Sequence, residues 1–170
     1  RPLFITGIDT GIGKTVAAAI LAEKLRADYW KPVQSGDLDN SDTAKVQSLV
    51  SNSETKFHPE AYKLTEPFSP HKSAAIDGIR IELKKIILPE SDKRIIIEGA
   101  GGLMVPLNEK DLMIDLIQQL DAEVILVSKN YLGSINHTLL SIEILRVRNV
   151  LLKGIIFNGE SDSYSEDFHW

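Results

Sequence analysis

Apolar residues fall in short continuous runs, at 3–7, 29–32, 94–98, 124–128 and 151–158, the densest being Ile95-Ile96-Ile97 and Val124-Ile125-Leu126-Val127. Between these runs the apolar positions recur at helical spacing. The pattern predicts helices over 14–26 (Val16, Ala19, Ile20, Leu25), 42 to about 50, 80–88, 112–120 and 135–146. Ser41 or Asp42 stands where a cap is needed for the second of these. Residues 51–78 are the least regular stretch, with prolines at 59, 67 and 70. Glu66-Pro67-Phe68-Ser69-Pro70-His71 excludes a central strand or an uninterrupted helix there. Strands that are apolar throughout are buried on both faces, which implies a mostly parallel sheet covered by helices. No internal repeat or low-complexity linker divides the chain. The expectation is one α/β domain over residues 1–170.

In such sheets ligands gather at the carboxyl ends of the strands. Polar loops follow the predicted strands at residues 7–13, 31–35, 98–102 and 129–136 and at Asn158, so all five are expected to face one cleft. The first is the most informative. Leu3-Phe-Ile-Thr-Gly7 runs into Ile8-Asp-Thr-Gly-Ile-Gly13-Lys14-Thr15, and a helix follows. A glycine-bearing turn between strand and helix points backbone N–H groups inward at a phosphate, Lys14 reaches its outer oxygens, and the Thr15 hydroxyl suits Mg²⁺. The loop carries one residue more than the common spacing between its first glycine and Gly-Lys-Thr. The fold expectation is therefore a P-loop NTPase-type domain.

Three charged residues stand near the other strand ends. Glu98 closes an isoleucine strand and precedes Gly99-Ala100-Gly101-Gly102. Beside a phosphate loop it is a candidate for the Mg²⁺ site, against a plainer role as cap acceptor or ion-pair partner. Asp42 is open between an N-cap and a second carboxylate for Mg²⁺. Lys31 is open between a charge-neutralising role toward a phosphoryl or oxyanion oxygen and a lysine snorkelling from an edge strand. Ser69-Pro70-His71 lacks a nucleophile elbow and a third partner, so it reads as a turn or helix start. Asn136 either caps a helix or bonds a ligand.

Composition removes several classes. Net charge is −5 with four histidines and no cysteine among 170 residues. There is no long basic block to neutralise nucleic-acid phosphates, no thiol nucleophile and no thiolate zinc site. The histidines show no metal spacing, and no apolar run approaches membrane-spanning length. The expectation is a cytoplasmic protein without nucleic-acid or membrane partners.

Read in order, six segments resemble the dethiobiotin synthetase family: Thr6–Thr15, Lys31-Pro-Val-Gln-Ser-Gly36, Asn40-Ser-Asp42, Glu66-Pro-Phe-Ser-Pro-His71, Glu98-Gly-Ala-Gly-Gly102 and Leu132-Gly-Ser-Ile-Asn-His137. The extra loop residue belongs to that resemblance. It implies an ATP- and Mg²⁺-dependent ligase of biotin synthesis. Such an enzyme carboxylates 7,8-diaminononanoate with CO₂ or bicarbonate, activates the carbamate by phosphorylation and closes a cyclic urea. It also implies site roles. Lys14 and Lys31 would be catalytic. Gly11, Ile12, Gly13, Lys14, Thr15 and Val16 would wrap the phosphates of ATP, with Asp42, Glu98, Gly99, Ala100 and Gly101 lining the nucleotide cleft. Thr15, Asp42 and Glu98 would hold Mg²⁺, and Asn158 would read the adenine. Ser35 would meet the diamine or carbamate, and Gly133 and Asn136 its carboxylate, across a homodimer interface.

The sequence departs from the family in two places. Tyr131 stands where some relatives carry lysine, and Asn158-Gly159-Glu160 replaces Asn-x-Asp. The family's chain runs further, so a C-terminus shortened or spliced across a gap is expected. A second class, the nucleotide-switch ATPases of partition and cell division, places another lysine inside the phosphate loop. Ile8, Asp9 and Thr10 supply none.

Overall fold

A computed structural model describes residues 1–159; the acidic stretch at 160–170, including Glu160 of the Asn158-Gly159-Glu160 triplet, lies outside the described residues. The elements run β1 (Leu3–Gly7), α1 (Lys14–Leu25), β2 (Asp28–Trp30), β3 (Val33–Ser35), α2 (Asp42–Leu49), β4 (Phe57–His58), β5 (Tyr62–Leu64), α3 (Pro70–Ile76), β6 (Ile95–Gly102), α4 (Met113–Gln119), β7 (Glu123–Lys129), α5 (Ser134–Val147) and β8 (Leu152–Asn158). Six strands form one sheet in the order β4-β2-β6-β1-β7-β8, and every pairing is parallel. The mostly parallel, helix-flanked sheet read from the apolar runs is the fold found.

Strand pleating divides the core. Phe4, Trp30, Ile95 and Ile97 face one side and pack with Ile114, Ile117 and Leu145. Ile5, Tyr29 and Ile96 face the other and meet Ala17, Ala18 and Ala22 of α1. Burial of an isoleucine contributes about 2 kcal/mol. Ile95, Ile96 and Ile97, all buried, therefore anchor β6 firmly enough for it to carry Glu98 at its exit. β1 lies between β6 and β7, while the chain leaves it toward β2 on one side and later reaches β7 and β8 on the other. Its carboxyl end is thus the point where strand order reverses, the usual ligand crevice of such sheets.

Four local expectations are corrected. The stretch at 80–88 is not a helix. Only Leu83–Lys85 forms a short 3₁₀ turn, because the two fully buried side chains, Ile81 and Ile86, are five residues apart and do not share a helix face. The buried face of α1 is made of its alanines, while Val16, Ile20 and Leu25 are each about half exposed, at 53%, 56% and 49%. Small side chains let α1 lie close against the sheet. The strand expected at 29–32 stops at Trp30, since Pro32 has no N–H for a ladder. The chain re-enters β structure as β3, which pairs with β5 in a separate two-stranded sheet. β6 continues past Glu98 to Gly102. In the irregular stretch, Pro70 occupies the first turn of α3, as the helix-start reading of Ser69-Pro70-His71 required.

Candidate active site

The loop after β1, the start of α1, the β3 region, Asp42 and the exit of β6 enclose a cleft of about 730 Å³. α1 begins at Gly13 with no side-chain cap, so the first N–H groups of the helix are left for a ligand. Gly13 has φ 99°, and a Cβ there would lie 2.2 Å from Asn158 Nδ2. That contact exists because Asn158, at the end of β8, donates to the Ile12 carbonyl at 2.8 Å and braces the loop from behind.

Lys14 is 7% exposed and curls over its own loop, donating from Nζ to the Asp9 carbonyl at 2.8 Å. Burial, then the neighbouring Lys31 ammonium, lowers its pKa against the opposing pull of Glu98, Asp42 and Asp9. A phosphate bound beside it would reverse that imbalance.

Lys31 follows β2 and is 4% exposed. Its Nζ sits 2.6 Å from Asp42 Oδ2 and 3.3 Å from Glu98 Oε1, and it also donates to the Gly99 carbonyl at 3.4 Å. Burial pulls its pKa down, but Glu98 and Asp42 together outweigh burial and raise it. Asp42 shows the mirror effect: burial would raise its pKa, yet Lys31 foremost, with Lys45 and Lys14, holds it below the usual carboxylate range. The lysine is therefore an ammonium, locked between two carboxylates. Ser41 caps α2, its Oγ accepting from the Ala44 N–H at 3.2 Å. That leaves Asp42, the first residue of the helix, to turn its carboxylate toward Lys31. Gln34 fixes this corner: its side chain accepts from Asp42 N–H and donates to the Gly36 carbonyl.

Glu98 is 1% exposed and fully engaged. Oε1 accepts from Thr15 Oγ1 at 2.9 Å as well as from Lys31, and Oε2 accepts from the Tyr29 hydroxyl at 2.8 Å. Tyr29 was not singled out in the sequence. Its signal was its place in the same apolar strand, two residues before Lys31, on the same sheet face. Burial and then the Glu98 charge push its phenol pKa well above the ordinary value, so it stays a donor. Thr15, Asp42 and Glu98 fit a hard divalent cation. Two carboxylates and a hydroxyl border one cleft, and a positive charge, the Lys31 ammonium, already bridges both carboxylates. Among the described residues no cluster of three or more His, Cys, Asp or Glu is present, and Mg²⁺ bound to a nucleotide needs only one or two protein carboxylates.

Ser35 lines the cleft with a buried Oγ that has no hydrogen-bond partner, so the site holds an unanswered polar atom. The adjoining Gly36 packs against the cleft wall, where a Cβ would stand 2.7 Å from Pro67. Gly11, Ala100 and Gly101 also border the cleft. Ile12 is buried beneath the loop and Gly99 packs over Phe4, while Val16 faces solvent. The loop at 129–136 does not join the cleft: Gly133 and Asn136 are exposed at the start of α5, outside it. Three of the five expected loops, at 7–13, 31–35 and 98–102, thus line the cleft, while Asn158 stays outside it and braces the phosphate loop from behind.

The protein family described as AAA domain matches residues 1–168. The ATP-dependent dethiobiotin synthetase of Christiangramia forsetii is 58% identical over 98% of this chain and 80% of its own length. The chain belongs to the ATP-dependent dethiobiotin synthetase family. Members from Cytophaga hutchinsonii and Chlamydia pneumoniae are 52% and 47% identical, over 98% and 99% of this chain and 81% and 74% of theirs. Among solved structures, a ParA family ATPase from Chlorobium tepidum aligns with a TM-score of 0.57 at 15% identity, over 98% of this chain and 77% of its own. The BceF tyrosine kinase domain aligns at 0.52 and 20% identity, over 94% and 69%. Both likenesses are of fold.

Proposed function

We propose that the chain closes the ureido ring of dethiobiotin from 7,8-diaminononanoate, CO₂ and ATP in biotin synthesis. The observation that carries this reading is Lys31, a buried ammonium contributed to the phosphate-loop cleft from the end of β2 and held by Asp42 and Glu98, whereas Ile8, Asp9 and Thr10 leave the loop itself without a second lysine.

One amine of the diamine attacks CO₂ and loses a proton, giving a carbamate. A carbamate oxygen attacks the γ-phosphorus of ATP, and the β–γ bridging bond breaks to release ADP. The second amine then attacks the carbonyl of the resulting mixed anhydride. Phosphate leaves, a proton is lost, and the ring closes. Phosphorylation matters because a carbamate oxygen is otherwise a poor leaving group. The protein's task is positioning and charge neutralisation. Loop N–H groups and the start of α1 hold the phosphates. Lys14 leaves the Asp9 carbonyl for a phosphate oxygen. Lys31 meets the carbamate and the charge that grows on the transferred phosphoryl oxygens. Ser35 Oγ supplies the hydrogen bond it lacks to the diamine or carbamate. Mg²⁺ held by Thr15, Asp42 and Glu98 would supply further neutralisation of phosphate charge.

Asn158 would have to turn from the Ile12 carbonyl to read the adenine edge, and Gly133 and Asn136 would take the substrate carboxylate across a homodimer interface. The second assignment is supported by their position: Leu132, Ile135, Leu139 and Leu140 around them are all exposed apolar residues. Among the described residues no helix is long and apolar enough to cross a membrane. Supplying ATP, Mg²⁺, bicarbonate and 7,8-diaminononanoate tests the reading. ADP release should require the diamine, and release indifferent to it contradicts the assignment.

A further inference from the structure

We propose that Tyr29 is a positioning residue for the nucleotide–metal site: its hydroxyl pins Oε2 of Glu98, so that Oε1 alone is presented to the cleft. The inference rests on the metal-site reading above.

The two oxygens of Glu98 have different partners. Thr15 Oγ1 and Lys31 Nζ both bond Oε1, and both belong to the ligand-facing machinery. The bond to Oε2 comes from Tyr29, at 2.8 Å, behind the cleft. Tyr29 does not line the cleft and is fully buried. Its backbone N–H donates to the Lys56 carbonyl at 2.8 Å, and its strand register places it beside Ile96. Its ring packs against Phe57, centroids 6.0 Å apart and planes tilted by 51°. The hydroxyl is thus a donor fixed to the sheet, whereas Thr15 rides on α1. A phenylalanine would fill the same space among Ile5, Ile96 and the α1 alanines, so packing does not call for the oxygen. What the oxygen adds is a bond that sets the plane of the carboxylate. Without it, both oxygens of Glu98 compete for Thr15 and Lys31, and the carboxylate loses its fixed orientation toward a cation. Partners that orient a metal-binding side chain from behind affect metal affinity by about tenfold or more.

The test is Tyr29→Phe, with ATP affinity measured calorimetrically in EDTA and across a Mg²⁺ titration. The substitution should leave affinity in EDTA near wild type and raise the Mg²⁺ concentration needed for half of the metal-dependent gain by about tenfold. In a Glu98→Gln background the same substitution should add little, because the anionic partner is already gone. Three results overturn the proposal. One is an unchanged Mg²⁺ requirement in Tyr29→Phe. Another is an equal loss of ATP affinity with and without Mg²⁺, which marks a packing role; melting curves recorded alongside register the same defect. The third is a full additional loss in the Glu98→Gln background. Failure of the underlying metal-site reading looks different: wild-type protein would itself bind ATP equally with and without Mg²⁺.

Discussion

Replacing Lys31 by methionine removes one charge and keeps most of the stem. Nζ lies 2.6 Å from Asp42 Oδ2 and 3.3 Å from Glu98 Oε1. At an effective dielectric of about 20, those contacts correspond to roughly 6 and 5 kcal/mol of attraction, much of it offset by desolvation of all three groups. Removing one member of a buried pair costs about 3–5 kcal/mol, since the survivors keep the desolvation cost without the attraction. Asp42 is 22% exposed at its side chain and Lys14 stands nearby, so the lower figure applies. About 3 kcal/mol lowers the melting temperature of a domain this size by roughly 9 °C.

The pH dependence has a sign. The folded pKa of Asp42 is depressed, so its contribution is present above its unfolded value and lost as pH falls through the folded one. The folded pKa of Lys31 is raised, so its contribution is present below its unfolded value and lost as pH rises through the folded one. The stability gap between wild type and Lys31→Met should therefore stay nearly flat from about pH 5 to 9 and close at both extremes. Turnover with diamine, bicarbonate and Mg²⁺–ATP should fall by about 10²–10³-fold, the usual loss of one preorganised charge stabiliser. ATP affinity should remain within about threefold. The assays are denaturant melts across pH, phosphate release and calorimetry. Turnover within about threefold of wild type would refute the catalytic reasoning, and a Lys31→Met protein as stable as wild type without Mg²⁺ would refute the electrostatic account.

Other outcomes follow from single contacts. Gly13→Ala places a Cβ 2.2 Å from Asn158 Nδ2 at φ 99°, so it should break the Asn158–Ile12 bond and weaken ATP binding at least about tenfold, as read by calorimetry. Glu23 accepts from the backbone and side chain of Asn52 and of Ser51, which hold its carboxyl at about 2 against an ordinary 4.5. A depressed folded pKa means that this stability is present above the ordinary value and lost as pH falls toward 2; urea melts of Glu23→Gln should converge on wild type in that window, and a constant gap across it would contradict the account. Ile135→Asp, at an exposed apolar position on α5, should shift the sedimentation profile toward monomer with little effect on melting of the monomer itself.

The centre of the sheet was legible because β1, β6 and β7 are buried on both faces, so Leu3–Gly7, Ile95–Ile97 and Val124–Val127 read as short apolar runs punctuated by polar loops; the edge strands β4 and β8 are only partly buried, and β4 left no such run. The phosphate loop was legible because its chemistry demands particular residues in a short span. Failures came where local pattern and packing diverge. Arg80–Leu88 has apolar residues at roughly helical spacing, but the deep pockets take only Ile81 and Ile86, and the chain bends to fill both. Of the helically spaced Val16, Ala19, Ile20 and Leu25 in α1, only Ala19 is buried; close approach to the sheet favoured it together with Ala17, Ala18 and Ala22. β3 and β5 are three residues each and show only through their pairing. Within the site, Lys31 and Asp42 were each open to a plainer reading until the fold placed them 2.6 Å apart. The Tyr29–Glu98 contact joins residues 69 apart, so the strand pattern offered the tyrosine but not its partner.

The central claim is tested most directly by product analysis with carbon-labelled bicarbonate, 7,8-diaminononanoate, ATP and Mg²⁺. The account expects labelled dethiobiotin, with one ADP and one phosphate formed for each labelled ring. ADP accumulating at the same rate without the diamine, and no label in a cyclic urea, would contradict it.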